Sequence, residues 1–338
     1  MSNSSKAYYE QCLFLGISTD FIVDYRSLYM SMVVINALIA LPTMFGNLVI
    51  ILGIWITPSL QTVSNLLLIG LACSDLGVGL IVPPLNIARN LLKLQNKSWC
   101  EVQVAYTFFG VMFCGVSFLT VAAFTIDKYL ALHWHLRYVA IVTTRRVVYI
   151  LVSFWFIFGA MSTIQLWSMT AYRISVCVVI PVFLLGTSFT YMSIYRVLRR
   201  HNSQIQTQTK ISAPNRANGE AHCLNMSRYR KSVSSMFLVY CLFILCYIPY
   251  ICVQFTILFT QLSFYASDTP IDGNNHTRLY LAVDITETVV IVNSFANPII
   301  YCWRMREIRH AAKRIVMSLR FGTIVHPINE SGTFTGTA

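Results

Sequence analysis

Seven apolar runs, each long enough to cross a lipid bilayer, constrain this chain more than any other feature. They lie at residues 28–56, 63–91, 100–131, 145–167, 173–199, 231–259 and 279–302, and about 20 apolar residues in helical form span the hydrocarbon. Inside lipid every backbone N–H and C=O needs an internal partner, so runs of this length must be helices. The expected fold is all-α: a seven-transmembrane helix bundle over 28–302. Composition agrees. Only 11% of residues are charged, against about 25% in a soluble domain.

Charge sets the orientation. With the N-terminus outside, 18 of the 25 Lys and Arg fall on the inner side, leaving Lys6, Arg26, Arg89, Lys93, Lys97, Arg173 and Arg278. Only Asp127, Glu220, Glu307 and Glu330 are acidic there. By the positive-inside rule the N-terminus is extracellular. The net charge of +12 therefore reports topology and affinity for anionic inner-leaflet lipid, and no nucleic-acid partner.

The flanks follow. Residues 1–27 form a polar extracellular tail with no cleavable signal peptide. Sequons at Asn3, Asn96 and Asn275 fall on the outer side. His201 to Tyr229 lacks an apolar period and reads as a mobile inner loop. Residues 303–321 alternate Trp303, Ile308, Ala311, Ile315 and Leu319 with six Arg and Lys, a basic amphipathic helix that lies in the membrane interface. Residues 322–338 read as a disordered cytoplasmic tail. Most of the ten cysteines sit in apolar runs as small hydrophobes. Cys100 and Cys12 are extracellular.

Polar residues inside the runs are costly, and they are distributed one set per span. Asn293, Asn297 and Pro298 build a polar, bendable joint in run seven. Asp75 in run two is its natural partner, since an intramembrane carboxylate marks a functional site. It either holds a cation with water or takes up a proton; a water-filled cluster without an ion is the plainer alternative. Gly46-Asn47, Pro83-Pro84, Asp127-Lys128-Tyr129, Trp155, Pro181, Tyr191, Tyr247-Ile-Pro249 and Asn297-Pro-Ile-Ile-Tyr301 complete the series.

This order, over about residues 28–320, resembles the rhodopsin-like (class A) G-protein-coupled receptors. The resemblance implies a plasma-membrane receptor that binds an extracellular ligand between its helices and activates heterotrimeric G proteins. Asp127, Lys128 and Tyr129 match the family's Asp-Arg-Tyr, and Asn297, Pro298 and Tyr301 its Asn-Pro-x-x-Tyr. Tyr191, Tyr247 and Pro249 match further switch positions. Asp75, Ser117, Asn293, Ser294 and Asn297 match the pocket for an allosteric sodium ion, with no other cofactor implied. The ligand cavity maps to Asn86, Arg89, Gly110, Val111, Cys114, Tyr250, Gln254, Asp284 and Glu287.

Departures from the family pattern carry their own expectations. Lys128 stands where Arg is usual, and Lys is a point charge where Arg is a planar fork. Tyr229 occupies the site of an acidic lock partner. Together these predict raised basal signalling, or, if coupling is lost, a non-signalling decoy. Tyr247 replaces Trp, Tyr191 comes two positions late after Pro181, and Cys100 lies too far from Asp127 for the usual disulfide, so Cys12 is one possible partner. Gly110 replaces the amine-binding Asp. Asp284 and Glu287 share a helix face and either hold a cationic ligand or pair with Arg89 as a latch. The short loop near 168–172 resembles melanocortin receptors, and the end of run seven resembles adenosine receptors. No nucleophile–base set, metal spacing or phosphate loop points to an enzyme. Proline-bearing spans that form no matching halves speak against a transporter or channel.

Overall fold

The computed structural model describes the backbone of residues 10–12, 15–17, 25–95, 97, 100–211, 216–267 and 273–321, without the side chains of 10–17, 135–136, 201–231, 264–277 and 321. Two short antiparallel strands, β1 (Glu10–Cys12) and β2 (Leu15–Ile17), precede eight helices. These are α1 (Arg26–Ile56), α2 (Val63–Leu94), α3 (Cys100–Ile141), α4 (Thr144–Ser162), α5 (Met169–Ile211), α6 (Arg216–Ser267), α7 (Gly273–Arg304) and α8 (Arg306–Phe321). Seven of them are long and apolar enough to cross a membrane. The expected sequons Asn3 and Asn96 and the side chain of Asn275 lie outside the described residues, as do the tail 322–338 and the Cys12 and Tyr229 side chains.

Lipid-facing helices keep their apolar residues outside. Leu38, Phe156, Leu185 and Leu245 are all exposed, while Asn47, Asp75, Ser117 and Asn297 are buried. This inverts the order of a water-soluble protein, because lipid tails solvate Leu and a polar side chain finds partners only in the bundle. Prolines 42, 83, 84, 181, 249 and 298 sit within helices, where neighbouring helices stabilise the backbone they disturb.

α1 packs along α2 and α7, α2 on α3, and α6 on α7; α8 folds back beneath α1. Close approach needs small residues at several points, among them Gly46 and Gly79. A Cβ on Gly46 would lie 3.2 Å from Pro298, and one on Gly79 would lie 2.8 Å from the backbone nitrogen of Met44. Trp155 of α4 meets Phe113 of α3 edge-on at 5.7 Å. Ile308, Ala311 and Ile315 bury the apolar face of α8, and Arg314 donates to Thr57 at 3.1 Å.

The sequence-based limits fall short on the inner side. The stretch 201–229, expected to be an irregular loop, is helical over 201–211 and 216–229. α3 also runs ten residues past the expected end, to Ile141. The reason is cooperative: once a spanning helix exists, each further residue adds a hydrogen bond without a new nucleus. Gln, Lys, Arg, Leu and Ala extend it readily.

Candidate functional site

Among the described residues, three polar clusters and a cavity are stacked from the inner face outward.

At the inner end of α3, Asp127 accepts from Ser64 (2.7 Å) and from Tyr138 (2.6 Å). Lys128 donates to the same Ser64 at 2.8 Å and lies 3.7 Å from Asp127. Its ammonium also sits 4.8 Å from the Phe124 ring centroid. Ser64 of α2 thus ties both charged residues. Tyr129 stacks on His133 at 4.6 Å, within the continuous α3. Tyr191 packs against Tyr240 at 5.1 Å and Phe237 at 5.4 Å.

In the middle, Asp75 is completely buried. One carboxylate oxygen accepts from Ser117 at 3.1 Å and the other from Asn297 at 2.7 Å. Ser74 meets Ser117 at 2.8 Å. Asn47 donates to the Ser294 carbonyl at 3.3 Å. Every donor to this carboxylate is neutral. Meanwhile Oδ1 of Asn47, Asn293 and Asn297 are buried acceptors without a partner. A buried anion among spare oxygen acceptors and hydroxyls fits a hard cation, which prefers oxygen ligands. Asp75, Ser117, Asn293, Ser294 and Asn297 would hold it. Ser74 and Asn47 join the cluster although sequence reading did not assign them to it; Ser74 adjoins Asp75, and Asn47 is one of the polar residues of run one.

At the outer end the two acids of α7 are latched by α2. Arg89 reaches Asp284 and Glu287, each at 3.0 Å. Lys93 reaches Asp284 at 2.7 Å, and Tyr29 donates to it at 2.8 Å. Tyr106 donates to Glu287 at 3.1 Å, accepts from Asn86 at 3.0 Å, and lies under the Arg89 guanidinium at 3.9 Å. Of the two roles left open for these acids, the latch describes Asp284, whereas Glu287 joins the latch through one oxygen and also lies on the cavity wall. Lys93 was missed by sequence reading, although it lies one helical turn beyond Arg89; nothing in the sequence tied Tyr29 to the group. Cys100, at the start of α3, is disulfide-bonded.

Between the latch and Asp75 lies a cavity of about 110 Å³. Of the expected ligand residues, Gly110, Val111, Cys114, Tyr250 and Glu287 line it, joined by Tyr106, Phe118 and Tyr172, among others. Asn86, Arg89, Gln254 and Asp284 are buried but do not form its wall. Arg89 and Asp284 pair behind it, since a buried charge left without a partner is costly. Tyr247 forms the floor. It stacks on Phe243 at 5.4 Å and leans on Phe118 at 5.7 Å. Tyr172 and Tyr250 share a hydrogen bond of 3.0 Å across the outer part.

The sequence matches the model of the 7 transmembrane receptor (rhodopsin family) over residues 46–175 and 165–301. Similar proteins include the adenosine receptor A2a of Equus caballus, 24% identical over 85% of this chain and 72% of the relative. The Alpha-2B adrenergic receptor of Elephas maximus is 34% identical over 36% of this chain and 31% of its own length. A probable G-protein coupled receptor of Amphibalanus amphitrite is 32% identical over 35% of this chain and a quarter of its own. For the latter two, the similarity thus spans a third or less of the relative. The chain is a multi-pass membrane protein and not an enzyme; it belongs to the rhodopsin family of seven-transmembrane receptors, whose members signal through G proteins.

Proposed function

We propose that this chain is a plasma-membrane receptor, N-terminus outside, that takes an extracellular small molecule into its cavity and drives nucleotide exchange on a heterotrimeric G protein. One observation carries the reading: the cavity floor and the buried carboxylate are neighbours on α3. Phe118 lines the cavity and leans on Tyr247, and the preceding residue, Ser117, donates to Asp75. Asp75 in turn accepts from Asn297, next to Pro298. A ligand that displaces the Phe118–Tyr247 pair therefore acts on residues that hold the α2–α7 joint. It shifts the population between two packings in proportion to its preference for one of them.

A sodium ion, when bound among Asp75, Ser117, Asn293, Ser294 and Asn297, supplies the positive charge that this carboxylate lacks. The chain's own residues orient its ligand oxygens and exclude bulk water. Asp127, Lys128, Tyr129, Tyr191 and Tyr301 form the inner, G-protein side of the switch, and α8 lies on the inner leaflet.

The test is uptake of a non-hydrolysable GTP analogue by representative G proteins with the purified receptor in lipid nanodiscs. Uptake above the receptor-free rate is expected, together with a change in Lys128→Arg. No uptake from either form with any G-protein class would favour a non-signalling receptor. The long alignment with the adenosine receptor, which covers 85% of this chain, makes an adenosine-like molecule the alternative ligand class to test.

A further inference from the structure

One charged side chain among the described residues lies on the cavity wall. It is Glu287, whose side chain is 19% accessible, whereas the Arg89 and Asp284 side chains behind it are each 6% accessible. Glu287 uses a single oxygen for both of its hydrogen bonds: Oε2 accepts from Arg89 and from Tyr106. Among the described residues its Oε1 has no hydrogen-bond partner, though a carboxylate has about four acceptor sites. The positive charges of the latch are thus absent from the cavity wall, while Glu287 lies on it with one oxygen outside the latch bonds.

The surroundings suit a cation with an apolar body. The rings of Tyr106, Tyr172 and Tyr250 line the space, and aromatic faces attract ammonium groups. The remaining wall is largely Val, Ile, Phe and Met. Opposite, a Cβ placed on Gly110 would meet nothing within 4 Å, so α3 leaves room for a flat ring. Resting on the receptor reading above, we propose that the ligand is a small aromatic amine, its protonated nitrogen on Glu287 Oε1 of α7 and its ring over Gly110 of α3.

The experiment is a thermal-shift titration of the full chain in nanodiscs with three probes of one shape: 2-phenylethylamine, 2-phenylethanol and 3-phenylpropionate. The amine is expected to saturate at a concentration at least about ten-fold below the alcohol, the scale of a charge-assisted hydrogen bond. The carboxylate should bind worst. Glu287→Gln should erase the advantage of amine over alcohol, and Gly110→Leu, which fills open space, should melt like the wild type and bind neither. An alcohol equal to the amine, a carboxylate that binds better, or no amine binding at millimolar concentration overturns the proposal. So does adenosine binding by a protein that ignores the amine. The probe comparison needs only wild-type protein, so it stands if Glu287→Gln does not fold. Because nucleotide exchange is measured separately, loss of the amine result leaves the receptor reading intact.

Discussion

Asn297 of α7 donates to the Asp75 carboxylate of α2 at 2.7 Å, across 222 residues of sequence. Both side chains are completely buried. A hydrogen bond to a buried carboxylate ties two spans at mid-membrane, beside the helix bend at Pro298. Whatever changes the charge at Asp75 changes how firmly that bend is held.

Sodium should therefore stabilise the protein through Asp75. Ligand linkage gives about 1 kcal/mol when sodium is about five times its dissociation constant. Melting in sodium chloride should exceed melting in N-methylglucamine chloride at equal ionic strength, since the organic cation is too large to enter. Asp75→Asn should melt alike in both salts. A variant that kept the full sodium response would rule this pocket out.

The outer latch makes a graded prediction. Arg89 is the only cation in hydrogen-bond contact with Glu287 among the described residues, and it also meets Asp284. Arg89→Ala leaves a buried carboxylate uncompensated and should cost about 3–5 kcal/mol. Lys93→Ala should cost less, because Asp284 retains Arg89 and Tyr29. Detergent melting temperatures should rank wild type, Lys93→Ala, then Arg89→Ala; equal losses would show that the group does not act as a shared network.

Two glycines should respond in opposite ways. At Gly79 a new methyl group lies 2.8 Å from the Met44 backbone nitrogen and 3.0 Å from Thr43 Cγ2, so α1 and α2 must separate. Gly79→Ala should lose about 1–3 kcal/mol, the usual cost of overpacking. Gly110→Ala meets nothing and should be neutral or gain up to about 1 kcal/mol from helix propensity. Melting curves of the two variants test both signs.

Ser64 is the serine that holds Asp127 and Lys128 together. Ser64→Ala should raise basal nucleotide exchange by about two- to ten-fold, since a bond to a charged group is worth about 1.5–3 kcal/mol and only part of that differs between the two packings. Tyr138→Phe should act in the same direction, because its hydroxyl donates to the other Asp127 oxygen. Unchanged exchange at equal receptor amount would place the restraint elsewhere.

The spans were legible because hydropathy sums residue by residue. Runs read at 63–91 and 279–302 became helices at Val63–Leu94 and Gly273–Arg304. The α3, α5 and α6 extensions were not legible, since hydropathy does not register a polar helix carried forward by its own hydrogen bonds. At the site, the pairing of Asp75 with Ser117 and Asn297 followed from the family pattern. Lys93, Tyr106 and Ser64 lay unnoticed in plain stretches of apolar or interfacial sequence.

The amino-acid order by itself determined the number of crossings, their inward charge bias and which spans carry a polar residue, because lipid imposes the same transfer cost on a residue whatever its neighbours are. Only the packed bundle decided that Arg89 faces two acids and that Glu287, bonded through one oxygen, lies on the cavity wall. Those outcomes depend on how each helix is rotated against the next. Rotation is set by close contacts such as Gly46 against Pro298 and Gly79 against Met44, which involve residues far apart in the chain.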